Sequence, residues 1–240
     1  MKRLFIVRLG EPYESVAQQL GGFEDWVAEA LEQPAVTVDP RAGEALPAVG
    51  ETAGAIVTGS NAMVTDRAEW SERTARWLAD LVDRDVPVLG ICYGHQLLAH
   101  ALGGEVIDHP GGRELGTVSV QCLAAAGEDR LFQGMPATFR ANVVHSQTVR
   151  TLPPGAVRLA QNDFEPNHAF RVGRRAWGLQ FHPEFDAAAM RAYVDALAPQ
   201  LSAQGQDPAE LAAAVRETPN SRALLRRFGQ LMFRNPDDDA

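Results

Sequence analysis

In Val88-Leu89-Gly90-Ile91-Cys92-Tyr93-Gly94-His95-Gln96-Leu97-Leu98, an apolar run passes through Gly-x-Cys-x-Gly and straight into a helical pattern. That is the cysteine form of the nucleophile elbow, in which the reactive side chain occupies a strained corner between a strand and a helix. Bulky residues two positions to either side of the corner would clash, and Gly90 and Gly94 remove them. The corner holds Cys92 at a helix N-terminus, where free N–H groups and the helix dipole favour an anion. The amide of Tyr93 is then a natural oxyanion donor. A lone cysteine is more often a buried structural thiol; the strand before Cys92 and the helix after it supply the context that this motif requires. Cys122 has neither, lying within the alternating run Val118-Ser119-Val120-Gln121-Cys122, and is expected in the core.

Outward from the elbow, the first half alternates short apolar runs with helical spacing, which predicts an α/β fold with a mostly parallel sheet. Strands are expected at 4–7, 35–38, 54–57 and 87–91, the third ending in the turn Thr58-Gly59-Ser60. Helical spacing covers 15–33, interrupted by Gly21-Gly22, then 69–85 and 93–102. Thr65 or Asp66 is placed to cap the helix that starts at Glu69. The second half offers five short strand candidates, at 117–123, 138–144, 157–160, 169–172 and 176–181, a mixed region added to one edge of the parallel sheet. Helices follow at 187–201, 208–217 and 221–233, and a frayed tail from Asn235.

Composition narrows the function classes. The 240 residues are 45% hydrophobic and 22% charged, ordinary for a folded chain able to bury a core without disulfides or metals. A net charge of -9 argues against nucleic acid and against an anionic membrane surface as partners. Two cysteines outside any CxxC pair give no structural zinc site and suit a reducing, cytoplasmic compartment. The apolar run before Arg8 is too short for a signal segment, and no stretch approaches the ~20 apolar residues that span a bilayer.

A cysteine nucleophile needs a base that also returns a proton to the leaving amine, and histidine is the usual choice. Of six histidines, His182 stands out because it ends the apolar run Gly178-Leu179-Gln180-Phe181 and is followed by Pro183-Glu184. Persisting strand geometry would put His182 and Glu184 on one side, where the carboxylate fixes the ring tautomer and supports the imidazolium. His95 is expected as pocket wall or solvated surface, His100 as structural, and His109 and His168 in loops.

The segments 90–96 and 178–184 together resemble the signatures of the class I, triad-type glutamine amidotransferases, and among them the glutaminase domain of GMP synthase. The likeness runs from about Leu4 to about Phe185. It implies a flavodoxin-like three-layer sandwich with the site at the carboxyl ends of the strands. It also implies attack by Cys92 on a glutamine carboxamide, with His182 and Glu184 as base and orienter and no cofactor or metal. Gly59 and Tyr93 would form the oxyanion hole by their amides, and Ser60, Gln96, His145, Ser146 and Gln147 would hold the substrate. Two departures touch that pocket: Thr58-Gly59-Ser60 stands where the family often has Gly-Gly-Pro, and His145-Ser146 where it often has His-Gly. No glycine-rich phosphate loop of an ATP-binding synthase domain is present, and Gly103-Gly104 and Gly111-Gly112 read as turns. The expected organisation is a catalytic domain over 1–186 with a helical extension over 187–240 packed on it. Three activities stay open: a glutaminase that supplies ammonia to a separate synthase, a γ-glutamyl peptidase, and a binding protein that keeps the fold.

Overall fold

The computed structural model describes residues 2–232. In chain order the first half holds β1 (Arg3–Val7), α1 (Glu14–Leu20), α2 (Phe23–Leu31), β2 (Val36–Val38), β3 (Thr52–Val57), α3 (Glu69–Asp83), β4 (Val88–Ile91) and α4 (Tyr93–Ala101). The second holds β5 (Glu105–Asp108), β6 (Glu114–Cys122), β7 (Thr138–His145), β8 (Gln147–Thr151), β9 (Val157–Gln161), β10 (Ala169–Val172) and β11 (Ala176–Leu179). It closes with α5 (Ala187–Ala203), α6 (Pro208–Ala214) and α7 (Pro219–Met232).

Nine strands form one sheet in the order β2-β1-β3-β4-β11-β10-β9-β6-β7. The block from β2 to β11 is parallel, and the four strands beyond it run antiparallel, as the mixed second half implied. Gly90 on β4 is in register with Val57 on β3 and Gly178 on β11, so the three central strands end level with one another. Their carboxyl ends form the ledge from which the site is built, as expected of a parallel α/β sheet.

The parallel strands are apolar on both faces because helices cover both. Alternate residues sort cleanly. Leu4, Ile6, Ile56, Leu89 and Ile91 meet Val27 and Leu31 of α2 and Leu224, Leu225 and Phe228 of α7. Val7, Ala55, Val57 and Val88 meet Leu78 and Leu81 of α3 and Leu97 and Leu98 of α4. A third cluster joins Phe23 and Trp26 of α2 to Phe185 and to Met190, Tyr193 and Leu197 of α5. Among the described residues no helix is long and apolar enough to cross a membrane.

The interruption at Gly21-Gly22 separates two helices, Gly21 ending one and Gly22 preceding the other. Three expectations need correction. Neither Thr65 nor Asp66 caps α3; both lie in a short 3-10 turn, Ala68 precedes the helix, and the Thr65 hydroxyl accepts a hydrogen bond from Gln147 instead. Strands β5 and β8 were not foreseen, and they pair with each other as a separate two-stranded sheet. The last strand stops at Leu179, since Gln180 and His182 donate their N–H groups to His168 O and Asn142 O. Phe233 and the tail lie outside the described residues.

Candidate active site

Cys92 sits between β4 and α4 with φ 50° and ψ -101°, a left-handed conformation that costs a non-glycine residue on the order of 1–3 kcal/mol. Its N–H donates to Leu179 O at 2.8 Å, tying the elbow to β11. A Cβ on Gly90 would lie 2.3 Å from Gly94 O, and one on Gly94 would lie 2.4 Å from Val57 O. Both encounters are with backbone, so no side-chain rotation relieves them. The thiol donates to Val144 O at 3.6 Å.

His182 and Glu184 are 2% and 1% exposed, and Glu184 Oε1 accepts from His182 Nδ1 at 2.7 Å. That bond leaves Nε2, which has no hydrogen-bond partner among the described residues, as the nitrogen that faces the reaction space. Burial alone would lower the basicity of the ring, but the Glu184 carboxylate and the Cys92 sulfur outweigh it and raise the His182 pKa to about 10. The pair is two residues apart because the chain turns at Pro183-Glu184, not because the strand continues; Phe185 N–H closes the turn on His182 O at 3.3 Å. Phe185 packs on the His182 ring at 4.2 Å between centroids, and Phe23 stacks beyond at 6.3 Å. These rings exclude water from the back of the imidazole and strengthen its interaction with Glu184.

Gly59 follows β3 on the same ledge. A Cβ there would stand 3.0 Å from His182 Cε1 and 3.7 Å from the Cys92 Cβ, so the backbone passes where no side chain fits. Tyr93 opens α4, where the first N–H groups have no partner inside the helix. Its hydroxyl meets Ser71 Oγ at 2.7 Å, and burial pushes its pKa up to about 12.

A cleft with about 460 Å³ of free space, its open mouth included, lies over the Cys92 sulfur. Ser60, Gln96, His145, Ser146 and Gln147 all line it, so every substrate-holding residue expected from the sequence reaches one place. Gln96 Nε2 donates to Gln147 O and to Gln180 Oε1, both at 3.0 Å, which fixes its amide. His145 is buried with Nδ1 on Gln147 O at 3.0 Å and Nε2 on Glu114 Oε2 at 2.9 Å. Among the described residues, no group of three or more His, Cys, Asp or Glu gathers as a metal site.

The model of the family "Glutamine amidotransferase class-I" matches residues 34–195, which contain the elbow, the His182–Glu184 turn and every cleft-lining residue except Tyr13. The chain belongs to the class I glutamine amidotransferases. GMP synthase [glutamine-hydrolyzing] of Aeropyrum pernix is 37% identical over 151 residues, which are 63% of this chain and 27% of that protein. A GMP synthase of Archaeoglobus fulgidus, named as one subunit of that enzyme, is 37% identical over 114 residues, 47% of this chain and 60% of that one. The matched region thus spans about a quarter of the first relative's length. Among solved structures, a glutamine amidotransferase of Thermotoga maritima superposes with a TM-score of 0.78 at 24% identity, covering 98% of this chain and all of the other. One from Methylobacillus flagellatus gives 0.72 at 26% identity, covering 97% and 93%.

In this amidotransferase the sequence reading missed several residues of the site. Tyr13, Asn61, Met63 and Arg113 line the cleft from loops and strand ends that carry no motif. Asn142 carries His182 N–H on its carbonyl and donates through Nδ2 to Phe185 O at 3.1 Å; an asparagine beside Val143-Val144 in the strand candidate 138–144 was the available signal. Burial would raise the Glu114 pKa, but His145 donates to the carboxylate and His168 Nε2 lies 3.4 Å from it, and these contacts hold its pKa well below the usual carboxylate range. One histidine also departs from expectation. His95 is neither pocket wall nor surface: it is wholly buried against Phe170, and burial drops its pKa to about 3. His168 lies in the loop before β10, as expected, and is fully buried beside Glu114. His100 pairs with Glu72, in line with a structural role, and Cys122 is partly buried against the main core.

Proposed function

We propose that this amidotransferase is a cysteine amidohydrolase that releases ammonia from glutamine through a γ-glutamyl thioester on Cys92. The observation that carries the reading is a left-handed Cys92 that lines the cleft and stands against a buried His182–Glu184 pair behind it. The Cys92 thiolate attacks the carboxamide carbon, and the carbonyl oxygen becomes an oxyanion that the Gly59 and Tyr93 amides stabilise by donating to it. The C–N bond breaks as the His182 imidazolium passes its proton to nitrogen, giving ammonia and the thioester. His182 then takes a proton from water, the resulting hydroxide attacks the thioester carbon, and the C–S bond breaks. Glutamate leaves, the thiolate returns, and the proton stays on His182, so glutamine and water give glutamate and ammonia with nothing else consumed. Glu184 keeps Nδ1 protonated and supports the cationic ring in both steps.

Ser60, Gln96 and the segment 145–147 hold the amino-acid end in this reading, with the Gln96 and His145 contacts keeping their side chains in place. The names of the similar GMP synthases support ammonia transfer to a synthase; the Archaeoglobus relative, named as one subunit, supports that acceptor being a separate chain. A second reading, a γ-glutamyl peptidase, is favoured by the cleft's open mouth and by the exposed Asn61, Ala62 and Met63 beside it, which leave space for a leaving group larger than ammonia.

Glutamine and a panel of γ-glutamyl dipeptides, offered to wild type and Cys92→Ala, separate the two. Glutamate from glutamine alone, absent in Cys92→Ala, supports the glutaminase. Preference for dipeptides supports the peptidase. Equal rates in both proteins on every substrate overturn the Cys92 mechanism.

A further inference from the structure

Glu184 holds His182, but little holds the Glu184 side chain: Oε1 bonds only His182, and Oε2 has no partner among the described residues. The carboxylate is therefore placed by its backbone, and residues 182–186 form no ladder with a strand. Besides the start of α5, four contacts fix that stretch. Asn142 O accepts from His182 N–H, Asn142 Nδ2 donates to Phe185 O and, at 3.5 Å, to Asp186 O, and Arg222 Nη1 donates to Glu184 O at 3.2 Å. The second arm of Arg222 donates to Glu29 Oε1 on α2 at 3.0 Å. Arg222 lies on α7, beyond residue 195, where the family match ends. Beside it lies a pocket of about 430 Å³, its open mouth included, lined by Trp26, Glu29, Asp186, Arg222 and Glu184 itself.

We propose that Arg222 is a positioning residue, through which the C-terminal helix clamps the backbone of Glu184 to α2 and so sets the carboxylate against His182. This rests on the reading of Glu184 as the orienter of His182. Lysine at this position keeps the charge but cannot span Glu29 and Glu184 O together, because its ammonium is a single centre where the guanidinium is a fork.

The test is an NMR titration of the His182 ring in wild type, Arg222→Met, Arg222→Lys and Arg226→Met, with kcat and KM on glutamine measured alongside. The ionisable groups around the His182 ring are Glu184, Cys92 and, on α5, Tyr193, whose hydroxyl burial keeps neutral. Removing a nearby cation would by itself raise the His182 midpoint, whereas loosening Glu184 lowers it, so the sign separates the two. The expected result in Arg222→Met is a midpoint lower by about one unit or more, kcat down about tenfold and KM within about twofold, with Arg222→Lys between it and wild type. Arg226, one turn along on the same helix and paired with Glu32 at 3.3 Å, serves as control and should change neither. A midpoint that stays put or rises, in Arg222→Met or in Arg222→Lys should the former not fold, overturns the proposal. So does the same fall in Arg226→Met. If wild type leaves glutamine untouched while the His182 midpoint still falls, the glutaminase reading fails and the positioning role stands.

Discussion

Replacing Gly90 by alanine puts a methyl carbon where the carbonyl of Gly94 already sits. The built Cβ lies 2.3 Å from that oxygen, 2.5 Å from its carbon and 2.8 Å from His95 N, about 1 Å short of ordinary van der Waals contact. All three neighbours are backbone at the start of α4, so relief requires the helix to move away from β4. Overpacking of this kind costs roughly 3 kcal/mol. For a chain of this length that corresponds to a Tm about 6–12 °C lower. The same movement carries the Cys92 sulfur away from Gly59 and His182. A misplacement of about 1 Å at a reacting centre costs on the order of a hundredfold in rate. Differential scanning calorimetry and steady-state glutamate release on the Gly90→Ala protein measure both effects. A variant that melts with wild type and turns over within about threefold of it would refute the elbow sterics, since a drop near a hundredfold is expected.

Three further outcomes follow from the same geometry. Glu184→Gln removes the charge that supports the imidazolium and should lower kcat by about 10³–10⁴-fold; the alkaline limb of kcat/KM should also move to lower pH, because His182 loses the partner that raises its pKa to about 10. The His182 pKa is raised on folding, so its stabilisation is full below its ordinary value near 6.5 and is lost as pH rises through about 10; chemical denaturation at stepped pH should show that decline, and Glu184→Gln should flatten it. Glu114→Gln leaves His145 and His168 without their carboxylate and should destabilise by about 3 kcal/mol, with KM rising more than kcat falls. Because the Glu114 pKa is depressed on folding, its stabilisation is present above the ordinary carboxylate range and is lost as pH falls below it, so the variant's deficit should shrink in acid.

How far the sequence reaches depends on the range of each interaction. Gly90 and Gly94 act on atoms within a few residues or on the adjoining strand, so the corner at Cys92 could be read locally, and the positive φ is its structural counterpart. The parallel core was equally legible, because apolar runs bounded by helical spacing admit few arrangements. His182 and Glu184 were found as a pair, yet by a strand geometry that the chain does not keep; the turn depends on Asn142, 40 positions earlier. Strands β5 and β8 could not be read locally because each is short and pairs only with the other, the register running from Asp108 with Gln147 to Glu105 with Thr151. His95 lies three residues past Cys92, which suggests a cleft position, but α4 turns that ring into the sheet, where it packs against Phe170 and backbone at Gly178. The Glu114 cluster and Arg222 act through tertiary contacts alone, which no spacing in the sequence reveals.

The central claim is that Cys92 carries a γ-glutamyl group during turnover. Acid-quenching the protein during glutamine hydrolysis and weighing it intact, followed by peptide mapping, tests it directly. The account predicts a mass gain equal to glutamine less ammonia, located on the peptide containing Cys92, absent in Cys92→Ala and increased in His182→Gln relative to its residual turnover. Turnover with no adduct on that peptide, or an adduct that persists in Cys92→Ala, would contradict it.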